Sequence, residues 1–129
     1  MNAEVDARTI PVFVYGTLRK GGSQHIRMAR AEALGSGTIS GVIYRMSWYP
    51  ALICGGEERV RGELYLVSEQ DIQALDEFEG ESYRRIQVSV RLDTGEEQLA
   101  WVWEWTADLV ERLPIAGGDW LASGLNPTE

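Results

Sequence analysis

Two stretches of this chain hold the residue types and spacings that could do chemistry: Val12-Phe13-Val14-Tyr15-Gly16-Thr17-Leu18-Arg19 and Leu75-Asp76-Glu77-Phe78-Glu79-Gly80. In the first, an apolar strand runs into a glycine-containing loop, where successive backbone N–H groups can point into one concavity and hold a carboxylate or a phosphate. The G-x-x-x-x-G-K-[ST] pattern of a nucleotide phosphate loop is missing, and Tyr15-Gly16-Thr17 taken alone reads equally as a tight turn without a ligand.

The second stretch reads as the end of a short amphipathic helix. At about 100° per residue, and with Ile72 at zero, Leu75 falls near roughly 300°, Phe78 near roughly 240° and Glu79 near roughly 340°, whereas Glu77 points to roughly 140°. Glu79 therefore lies within the buried stripe. Ser68 and Asp71 form an S-x-x-D start signal and Gly80 a left-handed stop, which pins the register at both ends. Burial disfavours the charged form of a carboxyl and raises its pKa, as a general base near neutral pH requires. Periodicity leaves a second reading open, in which Glu79 sits on the last turn and pairs with Arg84 or Arg85.

Composition narrows the remaining chemistry. The 129 residues suit a single domain over residues 1–129, with a real core and loose tails at 1–10 and 124–129. A net charge of −8, with no Lys/Arg cluster, argues against nucleic acid as a partner. No apolar run approaches the roughly 20 residues of a membrane span, so no membrane partner and a cytosolic location are the expectations. His25 and Cys54 are the only residues of their kinds, which leaves neither a cysteine-rich metal site nor a disulfide framework. The expectation is no metal and no cofactor. Ser23 and His25 are too close in sequence to act as nucleophile and base on the helix they open, so Ser23 reads as its N-cap and His25 as a surface residue. Cys54 reads as a small buried hydrophobe.

The elements that must position these residues follow from patterning. Residues 11–18 form a strand with Val12 and Val14 on one face and Phe13 and Tyr15 on the other, both apolar and both buried. A helix of about ten residues runs from the Ser23 cap to Gly35. Ile39–Met46 and Val60–Val67 are strands, separated by a loop that carries Trp48-Tyr49-Pro50 and Gly55-Gly56. Ile86, Val88, Val90 and Leu92 alternate with polar residues, Leu99, Trp101, Trp103 and Trp105 do the same, and Asp93-Thr94-Gly95-Glu96 joins the two runs into a hairpin. Period-two tryptophans read as core or as the wall of a curved sheet rather than as a platform for bases. Thr106 caps a short helix through Leu113, and Trp120 packs back on the body. The fold class is α+β: a small mixed, mostly antiparallel β-barrel with short flanking helices.

In chain order, Tyr15-Gly16-Thr17-Leu18, Gly41 and Tyr44, Tyr49-Pro50-Ala51, Gly62-Glu63-Leu64-Tyr65, Leu75-Asp76-x-Phe78-Glu79-Gly80, Tyr83-x-Arg85 and Gly118-Asp119-Trp120 resemble the γ-glutamylcyclotransferase-like family. The likeness spans nearly the whole chain and is nearest the AIG2-like and γ-glutamylamine cyclotransferase branch. Relatives often carry Asn-His where this chain has Gln24-His25. The resemblance implies a mixed β-barrel with flanking helices, an active-site glutamate at Glu79 and a substrate-holding loop at Tyr15, Gly16, Thr17 and Leu18. It implies a reaction on a small-molecule γ-glutamyl amide that releases 5-oxoproline and a free amine, with Glu79 as general acid/base. Tyr83 and Arg85 are wall residues on this reading; strand packing and a surface ion pair are their alternative roles. Two other functions stay open: a non-catalytic small-molecule-binding domain of the same fold, and a biosynthetic enzyme that removes a γ-glutamyl protecting group. The sequence leaves the oligomeric state and the leaving amine undefined.

Overall fold

A computed structural model describes residues 9–109 and 112–123 of the chain. The elements run β1 (Thr9–Val14), a 3-10 turn (His25–Met28), β2 (Glu32–Arg45), β3 (Pro50–Ser68), α1 (Glu69–Glu79), β4 (Tyr83–Leu92), β5 (Glu97–Trp105) and two further 3-10 turns (Ala116–Gly118 and Leu121–Ser123). The strands close into a barrel in the order β1-β3-β2-β4-β5. The β1/β5 pairing, through Val12 and Trp101, is parallel, and the other ladders are antiparallel. No helix among the described residues is long and apolar enough to cross a membrane.

A barrel this narrow is filled by its own side chains, and strand alternation decides what fills it. Phe13 on β1, Ile39 and Ile43 on β2, Leu52 and Leu64 on β3, and Ala100 and Val102 on β5 belong to one core cluster. Val12 and Val14 belong to a second, outer cluster with Val67, Trp103 and the Ile72–Leu75 stripe of α1. Both faces of β1 are apolar because one faces the barrel interior and the other faces the helix. The same alternation places small Ala100 and Val102 inside and large Trp103 outside, where α1 covers it. Helix α1 starts on Ser68, whose hydroxyl accepts the Asp71 N–H at 3.1 Å, and Glu69 and Asp71 in its first turn suit the helix dipole. It stops at Gly80, which has φ 85° and ψ −172°: a positive-φ stop, although outside the left-handed helical well expected of it.

Several sequence expectations are corrected. The first strand begins at Thr9 rather than residue 11, so residues 9–10 are not tail, and it ends at Val14. Residues 15–18 leave it because Arg19 N–H bonds Gly16 O at 3.1 Å and Gln24 N–H bonds Thr17 O at 2.8 Å, which curls the chain into turns. Residues 1–8 and 124–129 lie outside the described residues. The helix expected from Ser23 to Gly35 shrinks to His25–Met28, with Gln24 rather than Ser23 at its N-cap, because Glu32 and Ala33 pair with Leu66 and Tyr65 in the sheet instead. The long loop after Met46 is largely sheet: Pro50–Cys54 pair with Gly41–Arg45, and only residues 55–58 bulge out between the Ser40/Arg59 and Gly41/Cys54 pairs. Of the helix expected from Thr106 through Leu113, residues 110–111 lie outside the described residues, and the described ones, 106–109 and 112–113, are not helical. Thr106 holds Ser82 O through both its N–H (2.8 Å) and its hydroxyl (3.0 Å). The β4–β5 hairpin forms as expected, and Trp120 is buried in the barrel cluster.

At Gly62, β3 crosses β1 so closely that an added methyl would overlap Val14 O and stand 2.5 Å from Phe13 Cζ. Neither backbone nor buried ring can yield cheaply. Gly62→Ala is expected to lose about 3 kcal/mol of stability in urea unfolding; a loss within about 0.5 kcal/mol would show that the crossing is looser than described.

Candidate active site

The turn after β1, the last turn of α1 and the segment entering β3 converge on one opening. Its inner part, about 30 Å³, is lined by residues 13–18, Tyr49, Pro50, Glu79, Tyr83 and Trp103. That volume holds about two water-sized groups, the dimensions of one end of a carboxylate or carbonyl. A wider cleft of about 380 Å³ continues outward between Thr17, Trp48, Tyr49, Phe78, Glu79, Ser82, Tyr83 and Trp105. Thr17, Tyr49, Glu79 and Tyr83 line both parts and join them.

Glu79 is the chemically distinctive group here. Arg84 reaches Glu104, and Arg85 is bidentate to Asp76 at 3.0 Å for each contact, so neither arginine pairs with Glu79 as the second sequence reading allowed. Among the described residues nothing hydrogen-bonds or ion-pairs with the Glu79 carboxyl. Burial pushes its pKa up to about 7, with the Asp76 charge adding to the rise and Arg27 opposing it. Asp76 therefore has two effects. It accepts from Arg85 and from Trp103 Nε1 at 2.8 Å, which ties the end of α1 to β4 and β5, and its charge helps keep Glu79 protonated near neutrality.

The loop supplies donors. Among the described residues the amides of Gly16, Thr17 and Leu18 have no acceptor within the protein, and they flank the inner chamber. Carbonyls on the same turns are in use: Leu18 O accepts His25 Nδ1–H at 2.9 Å, and Thr17 O accepts Gln24 N–H. His25 is thus a half-buried brace on the loop, with its ring 6.2 Å from that of Tyr65, and not the surface residue expected. Tyr15 is buried and donates to Trp103 O at 2.7 Å; burial, then the neighbouring Tyr83 and Glu79, hold its pKa far above the ordinary phenol value. Tyr83 donates to Pro50 O at 2.6 Å and is likewise pushed far up, first by burial. Both phenols stay neutral and serve as walls and ties. Cys54 lines neither chamber, and burial together with Glu104 pushes its thiol up to about 12, in keeping with an inert thiol.

Six of the seven residues singled out from the sequence therefore meet at the opening: Tyr15, Gly16, Thr17, Leu18, Glu79 and Tyr83. Arg85 does not, because Asp76 and the face of Trp101, 5.1 Å from its guanidinium, hold it away from the cleft. Gly16 is there for a different reason than expected. A Cβ at Gly16 would meet Pro50 Cγ at 2.7 Å and Cδ at 2.8 Å, so the absent side chain makes room for a proline ring of β3. Sequence patterning alone does not mark Tyr49, Pro50, Phe78, Trp103 and Trp105 as site residues. The Trp48-Tyr49-Pro50 run and the period-two tryptophans were visible in the sequence, but their nearness to Glu79 depends on barrel closure.

A family model described as gamma-glutamyl cyclotransferase, AIG2-like, matches residues 12–122. A putative gamma-glutamylcyclotransferase of Vibrio cholerae is 35% identical over 113 residues, covering 84% of this chain and 93% of that protein. A gamma-glutamylaminecyclotransferase of Bos taurus is 35% identical over 100 residues, 67% of this chain and 59% of its own. The crystal structure of protein PH0828 from Pyrococcus horikoshii superposes with a TM-score of 0.70 at 31% identity, over 85% of this chain and 88% of that one.

Two expectations follow from the geometry. The Glu79 pKa is higher in the folded than in the unfolded chain, so folding carries no penalty from this group below about pH 4.5, where both states are protonated; the penalty grows to about pH 7 and is complete above it. Glu79→Gln should therefore gain on wild type by about 2–3 kcal/mol between pH 4.5 and pH 8 in urea unfolding, and a pH-independent difference would contradict the assignment. Gly16→Ala should raise KM for a turned-over ligand, and Pro50→Ala in the same chain should recover part of the loss. Absence of coupling between the two substitutions would remove Pro50 as the reason for the glycine.

Proposed function

Because this chain belongs to the AIG2-like γ-glutamyl cyclotransferase family, we propose that it acts on a γ-glutamyl amide, closing the glutamyl group to 5-oxoproline and releasing the attached amine, with Glu79 carrying the protons. The observation that supports this most is the unpartnered Glu79 carboxyl, with its pKa pushed up to about 7, beside free loop amides at the mouth of a small chamber.

The reaction forms one bond and breaks one. The substrate's α-ammonium gives a proton to Glu79, and the freed amine attacks the γ-carbonyl carbon of the same molecule. The carbonyl oxygen gathers negative charge, for which the amides of Gly16, Thr17 and Leu18 are the donors at hand. Protonated Glu79 then delivers its proton to the departing nitrogen, the carbon–nitrogen bond breaks, and the ring nitrogen loses its second proton by the same route. Two protons pass in all from the α-nitrogen to the leaving amine, so an ammonium enters and an ammonium leaves. A pKa near 7 suits a group that must accept and donate at neutral pH. Nucleophile and electrophile belong to one molecule, so the protein's contribution is to hold the glutamyl chain folded, and Tyr15, Tyr83 and Pro50 form walls fixed by hydrogen bonds for that purpose. A carboxyl and backbone amides suffice, and no metal or cofactor has a part in this reading.

Glu79→Gln keeps size and removes basicity, and should lower 5-oxoproline release by roughly two or more orders of magnitude. Glu77→Gln, on the exposed face of the same helix, should leave it nearly unchanged. Equal release by wild type and Glu79→Gln would sink the mechanism. Wild type inert across a broad panel of γ-glutamyl amides would favour the binding domain.

A further inference from the structure

The outer cleft is walled by aromatic rings: Trp48, Tyr49, Phe78, Tyr83 and Trp105. Trp48 and Tyr49 meet edge to face, with centroids 5.1 Å apart; Tyr49 and Trp105 are 6.4 Å apart and tilted; Trp105 and Tyr83 meet edge to face at 5.1 Å. These contacts turn successive rings across one another and form a continuous apolar wall from Glu79 to the surface. Trp48 ends the wall and is 48% exposed. At about 380 Å³ the cleft is well above the roughly 150 Å³ that admits a benzene ring.

Charge at the cleft has one sign. The charged residues among its lining are Glu79 and Glu81, and Glu81 is exposed at the rim. Arg27 lies nearby but does not line the cleft: its guanidinium stacks 4.0 Å from the centroid of Phe78, and its Nε is held by Gln24 Oε1 at 3.0 Å. A carboxylate on the departing amine would enter a space with Glu81 at its rim, the ionisable Glu79 at its base and no lining cation to pair with it. An aromatic body would meet the five rings that line the cleft.

We propose that this outer cleft seats the departing amine and selects arylalkyl amines that carry no carboxylate, with Trp48, Tyr49 and Trp105 as the specificity-determining residues. The inference rests on the cyclotransferase reading and sharpens it from any γ-glutamyl amide to one class. One end of the glutamyl group points inward at Glu79 and the loop, the scissile nitrogen lies near where the two chambers join, and the departing amine points outward along the rings.

The test is kcat/KM for 5-oxoproline release from four γ-glutamyl compounds: the methylamide, the 2-phenylethylamide, γ-glutamylphenylalanine and the mono-amide of 1,4-diaminobutane. The 2-phenylethylamide and γ-glutamylphenylalanine differ only in the carboxylate. The 2-phenylethylamide is expected to lead the methylamide and γ-glutamylphenylalanine by about tenfold or more each. Trp48→Ala should shrink its lead over the methylamide, and Trp48→Phe, which keeps a ring, should restore most of it. Arg27→Gln should leave the order unchanged. Equal or better turnover of γ-glutamylphenylalanine, above all if Arg27→Gln abolishes it, would overturn the proposal, as would the diamine compound ranking first or a lead indifferent to both Trp48 variants. Failure of every compound to yield 5-oxoproline would instead count against the cyclotransferase reading itself.

Discussion

The grip on Asp76 is the interaction on which the site depends. Its carboxylate takes two hydrogen bonds from the Arg85 guanidinium and one from the Trp103 indole, binding α1 to β4 and β5 at the same time. Glu79 follows three residues later on the same helical face, so fixing Asp76 fixes where Glu79 hangs over the barrel end. Arg85 satisfies Asp76 and leaves Glu79 unpaired. The helix end can then carry one paired carboxylate for architecture and one unpaired carboxyl for chemistry, and the charge of the first helps set the pKa of the second.

The loop opposite Glu79 is held by contacts that leave its amides free. Arg19 is buried between Glu63, at 3.1 Å, and Asp119, at 2.8 Å, and Glu63 also takes the Lys20 N–H and the Tyr65 hydroxyl. Burial alone would raise the pKa of Asp119, but the Arg19 contact and backbone donors outweigh it and hold the carboxyl below its ordinary value. This network joins the loop, β3 and the Gly118-Asp119-Trp120 segment behind the site. Pro50 completes it from the front, packed where Gly16 has no side chain and bonded through its carbonyl to Tyr83.

Sequence patterning was most informative where one face of an element had one environment. The two apolar faces of β1 and the alternation of β4 and β5 follow from local period, and each lies where that period put it; Glu79 is half-buried and lines the chamber. Patterning failed where long-range pairing overrode local preference. Residues from Glu32 join β2 because β3 offers them partners, which cuts the expected helix to one turn and makes Ser23 irrelevant as a cap. Arg85 matched a motif position, yet its partner, Asp76, lies nine residues away across the α1–β4 turn, and nothing local marked that pair as stronger than a pairing with Glu79. The aromatic wall is visible residue by residue but not as a wall, since closure of the barrel is what brings Tyr49, with Trp48 edge-on to it, against Trp105.

The central claim is that Glu79 is a half-buried, unpaired carboxyl poised near neutrality. A carbon-detected NMR titration of the glutamate side-chain carboxyls, with the Glu79 resonance assigned by its loss in Glu79→Gln, tests this directly. A midpoint near 7 for that resonance is the result expected from its surroundings. A midpoint at the ordinary glutamate value near 4.5 would mean that Glu79 is solvated or ion-paired, and the account of the site would be contradicted at its base.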